Sequence, residues 1–266
     1  MEHLSAVWPE ISERIRAADQ ILLLTDFDGT LSPIVGRPEE AVLPDDTRCA
    51  IEALAASQRI GVAVVSGRAL SDIKNKAGIH GITYAGNHGI EIEGPWIKFV
   101  YPPAQSLRPF IRRLHPRLTE ALAGFEGAFV EDKGLTLSVH FRLLQEDRVS
   151  ELMRVCEETV RGLRSDGKIR TTEGKKVYEI RPGVIWDKED AIVLLMSGWT
   201  SSRGKTGSLV IFLGDDLTDE GGFEVVNTHD GVSIYVGETS SNTAARYFLR
   251  SPAEVEEFLR RLTCTV

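Results

Sequence analysis

The chain has 266 residues, of which 42% are apolar and 26% are charged, and this composition predicts a globular protein with a substantial buried core. Its formal net charge is −8 and it contains no dense run of Lys and Arg, so we expect neither nucleic acid nor a membrane surface as a partner. An acidic balance does not exclude an anionic substrate, because a bound cation and a few basic side chains set the field at a site.

The cysteines and the N-terminal segment bear on the compartment. Cys49, Cys156 and Cys264 lack the spacing of metal or redox motifs, and their odd number favours reduced thiols. Residues 1–20 mix charges into an amphipathic helical pattern that is unlike a signal peptide, and no stretch approaches the length of about 18 uncharged apolar residues that a membrane span needs. We therefore expect a cytoplasmic protein.

Apolar segments of strand length occur in both outer parts of the chain, at residues 21–25, 61–65, 82–85, 208–213 and 232–236. They are almost continuously apolar, which favours strands buried on both faces. Segments of helical composition, such as 45–58 and 69–77, lie between several of them. This alternation predicts an α/β fold with a doubly wound, mainly parallel sheet.

The middle of the chain has a different pattern. Helix-like segments at residues 107–123 and 145–162 are each followed by an apparent β-hairpin, at 128–142 and 168–180. Apolar and polar residues alternate along 135–142, as in a strand with one buried face. We therefore predict an α+β unit inserted into the α/β domain. The predicted bounds are 105–183 for the insertion and 1–104 with 184–266 for the α/β domain, with hinges at 101–103 and 181–183.

Carboxylates follow two of the predicted strands. Asp26 and Asp28 come directly after the strand at 21–25 and face the same side, where a pair of anions is costly unless a cation neutralises it. An Asp-rich turn that bends at Gly29 is the alternative interpretation. Another strand runs into residues 214–220, Gly-Asp-Asp-Leu-Thr-Asp-Glu, whose carboxylates favour a hard divalent cation but also suit a helix N-terminus.

Two further strand ends carry polar residues. The strand at 61–65 ends in Ser66-Gly67-Arg68, where a hydroxyl and backbone N–H groups suit phosphate oxygens and a guanidinium is suited to clamp an oxyanion. A simple helix cap at Ser66 explains the same residue types. After the segment at 82–85, Asn87 and His88 are candidates for substrate contact, and His88 is alternatively a structural residue.

Taken together, these strand ends resemble the haloacid dehalogenase superfamily, whose phosphatases carry an Asp-x-Asp-x-Thr motif, a Ser or Thr, a Lys and an acidic pair in this order. The matching positions are Asp26, Asp28, Ser66, Lys188, Asp215 and Asp216. The resemblance covers the whole chain, and the inserted unit is similar to the superfamily's C2-type caps. It implies a Mg²⁺-dependent phosphatase that forms an aspartyl-phosphate intermediate.

The resemblance also implies a role for each residue. Asp26 would attack phosphorus, and Asp28 would protonate the leaving group and then deprotonate the attacking water. Mg²⁺ would be held by Asp26, the carbonyl of Asp28 and Asp215. Ser66 and Lys188 would hold the remaining phosphoryl oxygens.

Further segments are similar to trehalose-6-phosphate phosphatases, namely 86–89, 131–134, 140–142, 177–182 and 214–220. In that family two Glu and one Lys of the cap grip the sugar hydroxyls. The resemblance therefore implies sugar contacts for Glu131, Lys133 and Glu179. A solvated hairpin is the alternative interpretation, because Glu-Asp-Lys-Gly at 131–134 is also a serviceable turn.

One position departs from that family, because Lys188 is followed by Glu189 where Gly is usual. A second anion beside a phosphate-binding Lys is unfavourable unless its side chain points away along the helix. The leading prediction is hydrolysis of trehalose 6-phosphate to trehalose and phosphate. The alternatives are a phosphatase for another sugar or glycosyl-polyol phosphate, such as glucosylglycerol phosphate or mannosylglycerate phosphate, and a non-catalytic sugar-phosphate sensor. The sequence leaves the oligomeric state open.

Overall fold

The computed structural model describes residues 1–174, 176–204, 207–238 and 242–266. They divide into two compact units. The first contains Met1–Val35, Glu39–Phe99 and Trp186–Val266, and the second contains Gly36–Pro38 and Val100–Ile185. The second unit thus includes the whole of segment 105–183, and the separate roles of the two units stay a prediction.

The elements follow in chain order. The strands are β1 Glu2–His3, β2 Ile21–Thr25, β3 Ile60–Val65, β4 Thr83–Gly86, β5 Glu91–Gly94, β6 Ile97–Val100, β7 Phe129–Asp132, β8 Leu137–His140, β9 Ile169–Gly174, β10 Val177–Pro182, β11 Leu209–Gly214, β12 Val232–Val236 and β13 Tyr247–Leu249. The helices are α1 Trp8–Ala17, α2 Asp45–Ala55, α3 Leu70–Ala77, α4 Pro102–Ala121, α5 Val149–Ser165, α6 Lys188–Arg203, α7 Glu220–Thr228 and α8 Pro252–Thr263. Among the described residues, no helix has the length and apolar character needed to cross a membrane.

A nine-stranded sheet forms the centre of the first unit, in the order β1-β13-β12-β11-β2-β3-β4-β5-β6. The strands β11, β2, β3 and β4 pair in parallel, while β5 runs antiparallel to β4. Every residue of β2, β3 and β11 is buried, as expected for strands covered on both faces. Because parallel strands end at one edge of a sheet, the residues after β2, β3 and β11 emerge side by side.

Helices cover both faces of this sheet. On one face, Leu23 of β2 belongs to a core that includes side chains of α1, α2, α3 and α8. On the other, Leu24 packs in a core built with α6 and α7. The predicted α/β fold with a doubly wound, mainly parallel sheet is thereby confirmed.

The second unit has its own two-layer core, which confirms the expected α+β architecture. Its antiparallel sheet has the order β7-β8-β10-β9. Apolar side chains of β8 and β10, such as Val139 and Tyr178, pack with residues of α4 and α5. The pleat turns alternate residues, including Glu131 and Glu179, to the opposite face of the sheet.

The start of α4 differs from the sequence prediction. Pro102 and Pro103, expected in a hinge before a helix at 107, are the first two residues of α4. Proline suits the first turn of a helix, because the N–H groups there have no intrahelical acceptor and the proline ring already fixes a helical φ. A proline pair that resembles a hinge in sequence is therefore a helix start in the structure.

Candidate active site

The parallel strands bring the predicted core residues to one edge of the sheet. The backbone N–H of Asp26 donates to the carbonyl of Leu213 in β11 at 2.8 Å, which continues the strand pairing one step past β2. The N–H of Ser66 donates to the carbonyl of Ala85 in β4 at 2.8 Å in the same way. The backbone itself therefore fixes where the Asp26 and Ser66 side chains begin.

Lys188 is the first residue of α6 and its side chain is 4% exposed. Its Nζ donates to Asp26 Oδ1 at 2.6 Å and to Asp219 Oδ1 at 2.8 Å. Burial opposes the ammonium charge, but the Asp219 and Asp26 carboxylates outweigh it and raise the pKa of Lys188. Lys188 is therefore a buried, charged group in contact with the predicted nucleophile.

Three buried carboxylates, Asp26, Asp215 and Asp219, offer oxygens that all lie within 4.8 Å of one another. Burial raises the pKa of Asp26 well above its usual range. The Lys188 charge opposes that rise, and the neighbouring carboxylates add to it. One ammonium cannot balance three anions, and hard oxygen ligands of this kind suit a divalent cation. The residues present thus fit a metal site.

Gly29 allows Asp215 to approach this cluster. Its φ is +90°, a conformation that favours glycine, and a Cβ built at this position would lie 2.2 Å from Asp215 Oδ2. Any side chain at residue 29 would displace the Asp215 carboxylate. The Gly that follows the paired Asp residues is therefore required by the carboxylate cluster as well as by the turn.

Asp28, predicted as a catalytic and metal-binding residue, is held by Arg68. The guanidinium makes a two-pronged contact, from Nε to Asp28 Oδ2 and from Nη2 to Asp28 Oδ1, both at 2.7 Å. Its Nη1 donates to Asp72 Oδ2 of α3, also at 2.7 Å. Burial opposes the guanidinium charge, but the hydrogen bonds and charges of Asp28 and Asp72 raise the pKa of Arg68. Arg68, predicted as a substrate clamp, here orients the predicted acid and base.

The loop after β4 places Asn87 and His88 beside Ser66 and Gly67. Both residues have left-handed backbones, with φ of 51° and 57°. The Asn87 N–H donates to the Arg68 carbonyl at 2.7 Å, and the His88 N–H donates to the Ser66 carbonyl at 2.9 Å. A Cβ on Gly67 would lie 2.8 Å from the His88 ring, so that ring packs closely on the Gly67 backbone. The structure thus ties five predicted residues, Ser66, Gly67, Arg68, Asn87 and His88, into one pair of loops.

Asp219 is a residue that the sequence analysis left without a role. One of its oxygens accepts from Lys188, and Oδ2 accepts the backbone N–H groups of Asp215 and Asp216, each at 3.1 Å. It therefore positions both the lysine and the loop that carries Asp215. The signal was present in the dense carboxylates of 214–220, but the pattern did not show which member turns inward.

Glu189, which departs from the family pattern, is exposed and takes no part in the hydrogen bonds of Lys188. A Cβ on Gly221, in the first turn of α7, would lie 1.8 Å from Glu189 Oε2. The carboxylate therefore lies over the start of α7, where the helix dipole favours an anion. Its position accounts for an acidic residue beside Lys188.

The three predicted sugar-binding residues lie together in the second unit. Lys133 Nζ is 3.4 Å from Glu179 Oε1 and 3.9 Å from Glu131 Oε2, and its side chain is 7% exposed. His140 Nε2 is 2.7 Å from Glu131 Oε2, a partner that sequence reasoning missed. A buried ammonium beside two half-buried carboxylates is unlike a solvated hairpin turn.

Sequence comparisons identify close relatives along most of the chain. A family model described as trehalose-phosphatase matches residues 24–253. The trehalose 6-phosphate phosphatase RA3 of Zea mays is 37% identical over 257 residues, which cover 91% of this chain and 70% of that protein. The trehalose-phosphate phosphatase of Mycobacterium bovis (strain BCG / Pasteur 1173P2) is 39% identical over 249 residues, which cover 92% of this chain and 62% of that protein.

Solved structures share the fold. The C-terminal domain of the C. albicans trehalose-6-phosphate phosphatase has a TM-score of 0.81 at 22% identity and covers 97% of both chains. A trehalose-6-phosphate phosphatase related protein has a TM-score of 0.77 at 26% identity, covering 91% of this chain and 97% of that one. A haloacid dehalogenase-like hydrolase from Bacteroides thetaiotaomicron has a TM-score of 0.58 at 18% identity, covering 91% of this chain and 99% of that one. The sequence relatives are thus trehalose-phosphate phosphatases, and the solved structures share the fold of this chain.

Proposed function

This chain belongs to the trehalose-phosphatase family, and we propose that it hydrolyses trehalose 6-phosphate to trehalose and phosphate through an aspartyl-phosphate on Asp26. One observation carries the chemistry: Asp26 is buried at the end of β2 in contact with the Lys188 ammonium. The names of the relatives support the substrate.

The proposed reaction begins with Asp26. A carboxylate oxygen of Asp26 attacks phosphorus, and the bond from phosphorus to the sugar oxygen breaks. Lys188, whose pKa is raised, stays charged and favours the ionised form of Asp26 against the cost of burial. Lys188 and the Ser66 hydroxyl are proposed to hold phosphoryl oxygens. Gly67, Asn87 and His88, at the same sheet edge, are proposed substrate contacts.

Asp28 is proposed to carry the protons. It donates a proton to the departing sugar oxygen, and as a carboxylate it then takes a proton from the water that attacks the aspartyl-phosphate. The second step releases phosphate and restores Asp26. The Arg68 fork orients the Asp28 carboxylate, the form that takes the proton from the attacking water.

The superfamily implies a divalent metal, and we propose Mg²⁺. Asp26 and Asp215, with the carbonyl of Asp28, are the proposed ligands. Asp219 is less suited, because its oxygens already accept from Lys188 and two backbone N–H groups. When bound, the ion shields the carboxylates from one another and polarises the phosphoryl oxygens. EDTA is expected to abolish phosphate release and added Mg²⁺ to restore it; full activity in EDTA would remove the metal from the proposal.

The sugar is assigned to Glu131, Lys133 and Glu179, whose carboxylates and ammonium suit vicinal hydroxyls. We propose this small sugar phosphate as the partner of the protein and the cytoplasm as its compartment. The compartment rests on the free thiols of Cys49, Cys156 and Cys264.

A substrate panel tests the assignment. Phosphate release at fixed Mg²⁺ is compared for trehalose 6-phosphate, glucose 6-phosphate, glucosylglycerol phosphate and mannosylglycerate phosphate. We expect kcat/KM to be highest for trehalose 6-phosphate. If it is no better than glucose 6-phosphate, the substrate assignment is wrong; if no ester is hydrolysed, the chain is not a phosphatase.

Asp26→Asn tests the nucleophile. The amide cannot attack phosphorus, so turnover is expected to disappear while trehalose 6-phosphate still binds, as measured by calorimetry. Glu10→Gln, in α1, is the matched control and is expected to keep wild-type kinetics. Full activity of Asp26→Asn would refute the nucleophile assignment.

A further inference from the structure

The sheet of the second unit has one polar face. The strand register pairs Phe129 with His140 and Glu131 with Ser138 between β7 and β8, and it pairs Ser138 with Glu179 between β8 and β10. Paired residues point to the same side of an antiparallel sheet. All five side chains therefore share the face opposite the helices.

His140 holds the Glu131 carboxylate on this face. The two residues are diagonal neighbours on adjacent strands, and His140 Nε2 is 2.7 Å from Glu131 Oε2. A carboxylate can only accept a hydrogen bond, so the Nε2 atom carries the proton and donates. Both side chains are largely buried, with 18% and 24% exposure. Lys133 Nζ lies 3.9 Å from the same Glu131 oxygen. The imidazole thus holds Oε2 by a hydrogen bond, and the Lys133 ammonium lies within ion-pair distance of the same atom.

Phe129 in turn holds the His140 ring. The two rings stack with centroids 4.8 Å apart and planes inclined by 19°. Phe129 is 37% exposed on this polar face, whereas Leu137 and Val139 of β8, which pack on the helices, are fully buried. A stacked ring restricts rotation of the imidazole and so sets the direction of its N–H donor.

We propose that His140, held by Phe129, is a positioning residue that sets the Glu131 carboxylate for a sugar hydroxyl. The inference rests on the proposed function, because it requires Glu131 to bind the sugar of the substrate. A site that recognises hydroxyls by hydrogen bonds discriminates strongly only when its acceptors are fixed, and a displacement of about 1 Å can cost about 100-fold in rate. The His140–Phe129 stack supplies that fixation for Glu131.

Selectivity for the sugar is the readout. Trehalose 6-phosphate is compared with p-nitrophenyl phosphate, an ester without hydroxyls, and the ratio of their kcat/KM values is measured. His140→Ala is expected to lower this ratio about 10- to 100-fold, mainly through the KM of trehalose 6-phosphate. His140→Gln, which keeps an N–H donor near the position of Nε2, is expected to recover most of it. His115→Ala, on α4 of the same unit, is the matched control and should keep the wild-type ratio.

A double-mutant cycle separates positioning from general stability. If His140 acts through Glu131, adding His140→Ala to Glu131→Ala should lower the ratio no further. If the double variant instead shows the product of the two single-variant losses in this ratio, the proposal is overturned. Should His140→Ala fail to fold, Phe129→Leu provides the same cycle, because it removes the stacking but keeps an apolar side chain.

The outcomes also distinguish this inference from the proposed function. A wild-type enzyme that hydrolyses p-nitrophenyl phosphate but shows no preference for trehalose 6-phosphate refutes the proposed substrate, and the inference falls with it. A wild-type enzyme with that preference, together with a His140→Ala variant of unchanged ratio, refutes the inference alone.

Discussion

Arg68 lies between two carboxylates and is 6% exposed, so its guanidinium has a structural partner on each side before any substrate arrives. Lysine cannot make the two-pronged contact with Asp28, because an ammonium is a point charge. General acid and base catalysis contributes about 10²- to 10⁴-fold, so we expect Arg68→Lys to lower kcat about 10- to 100-fold. The KM for trehalose 6-phosphate should change less than about threefold.

Steady-state kinetics distinguish this expectation from the clamp predicted from sequence. A raised KM with unchanged kcat would show that Arg68 serves the substrate phosphate and not Asp28. Arg48→Lys is the matched control, because Arg48 is a partly buried arginine of the same unit that donates to the backbone carbonyl of Ala77. It is expected to keep the wild-type kcat and KM.

Asp219 offers a second test at single-residue resolution. An Asn side chain has one acceptor atom, so Asp219→Asn cannot serve both Lys188 and the two N–H groups of the Asp215 loop. Loss of such supporting contacts typically weakens metal binding about 10- to 100-fold. We therefore expect Asp219→Asn to raise the Mg²⁺ concentration that gives half-maximal activity about 10- to 100-fold. Asp216→Asn, whose side chain caps the following turn, should shift it less than about threefold; equal shifts in both variants would contradict the role of Asp219.

The sequence predicted individual residues better than their partners. Asp26, Asp28 and Ser66 stand out because polar residues directly follow buried apolar strands. Lys188 was selected only by resemblance, since nothing in its own segment shows that it turns into the core. Whether Arg68 binds a phosphate or Asp28 depends on how two loops 40 positions apart meet, and no local sequence pattern contains that information.

At the scale of elements, α6 joins the site to the core. Lys188 begins this helix and Trp199, near its other end, packs over Gly61 of β3. A Cβ on Gly61 would lie 2.7 Å from the Trp199 ring, so Gly61→Ala is expected to overpack the core and destabilise the protein by about 1–3 kcal/mol. The midpoint of urea denaturation measures the effect.

Gly198 supplies the matched substitution on the same helix. A Cβ there meets its nearest neighbours at 3.5 Å, an ordinary contact, so Gly198→Ala is expected to stabilise the protein by about 0.5–1 kcal/mol through helix propensity. If Gly61→Ala lowers the free energy of unfolding and Gly198→Ala raises it, the packing of α6 on β3 is supported. Changes of the same sign in both variants would contradict it.

The apolar runs predicted which segments form strands and helices, but they predicted the first and last residues of these elements less accurately. The strand predicted at 21–25 is β2 without change, because a buried parallel strand is apolar along almost its whole length. The helix predicted at 107–123 begins five residues earlier, at Pro102. Proline ends helices and also starts them, so its presence alone does not fix on which side of it the helix lies.

For the whole molecule, the cysteines report on both units. Cys49 and Cys264 are exposed, whereas Cys156 is buried in the core of the second unit, where burial and the nearby Glu157 charge raise its thiol pKa to about 12. Thiolates react and thiols do not, so a thiol reagent should label Cys156 roughly 100-fold more slowly than the other two. Mass spectrometry of the labelled peptides measures each rate.

The same reagent in urea provides the control. Unfolding exposes Cys156 and removes the cause of its raised pKa, so the three rates should become similar. Fast labelling of Cys156 in the native protein would mean that the core formed by α4, α5 and the antiparallel sheet opens readily. In the sequence, a change from continuous to alternating apolar patterns marks the segment in which α4, α5 and the antiparallel sheet lie.

The position of β2 has a consequence for biosynthesis. This strand lies between β3 and β11, yet β11 begins at Leu209, long after β3 ends at Val65. At about 5–20 residues per second, a ribosome needs roughly 7–30 s to translate the intervening segment. Throughout that interval one edge of β2 has no partner, and an apolar unpaired edge is a template for association with other chains. We therefore expect the strand that leads into Asp26 to be open to association with other chains until β11 is translated, and slow codons between β3 and β11 to lengthen that interval.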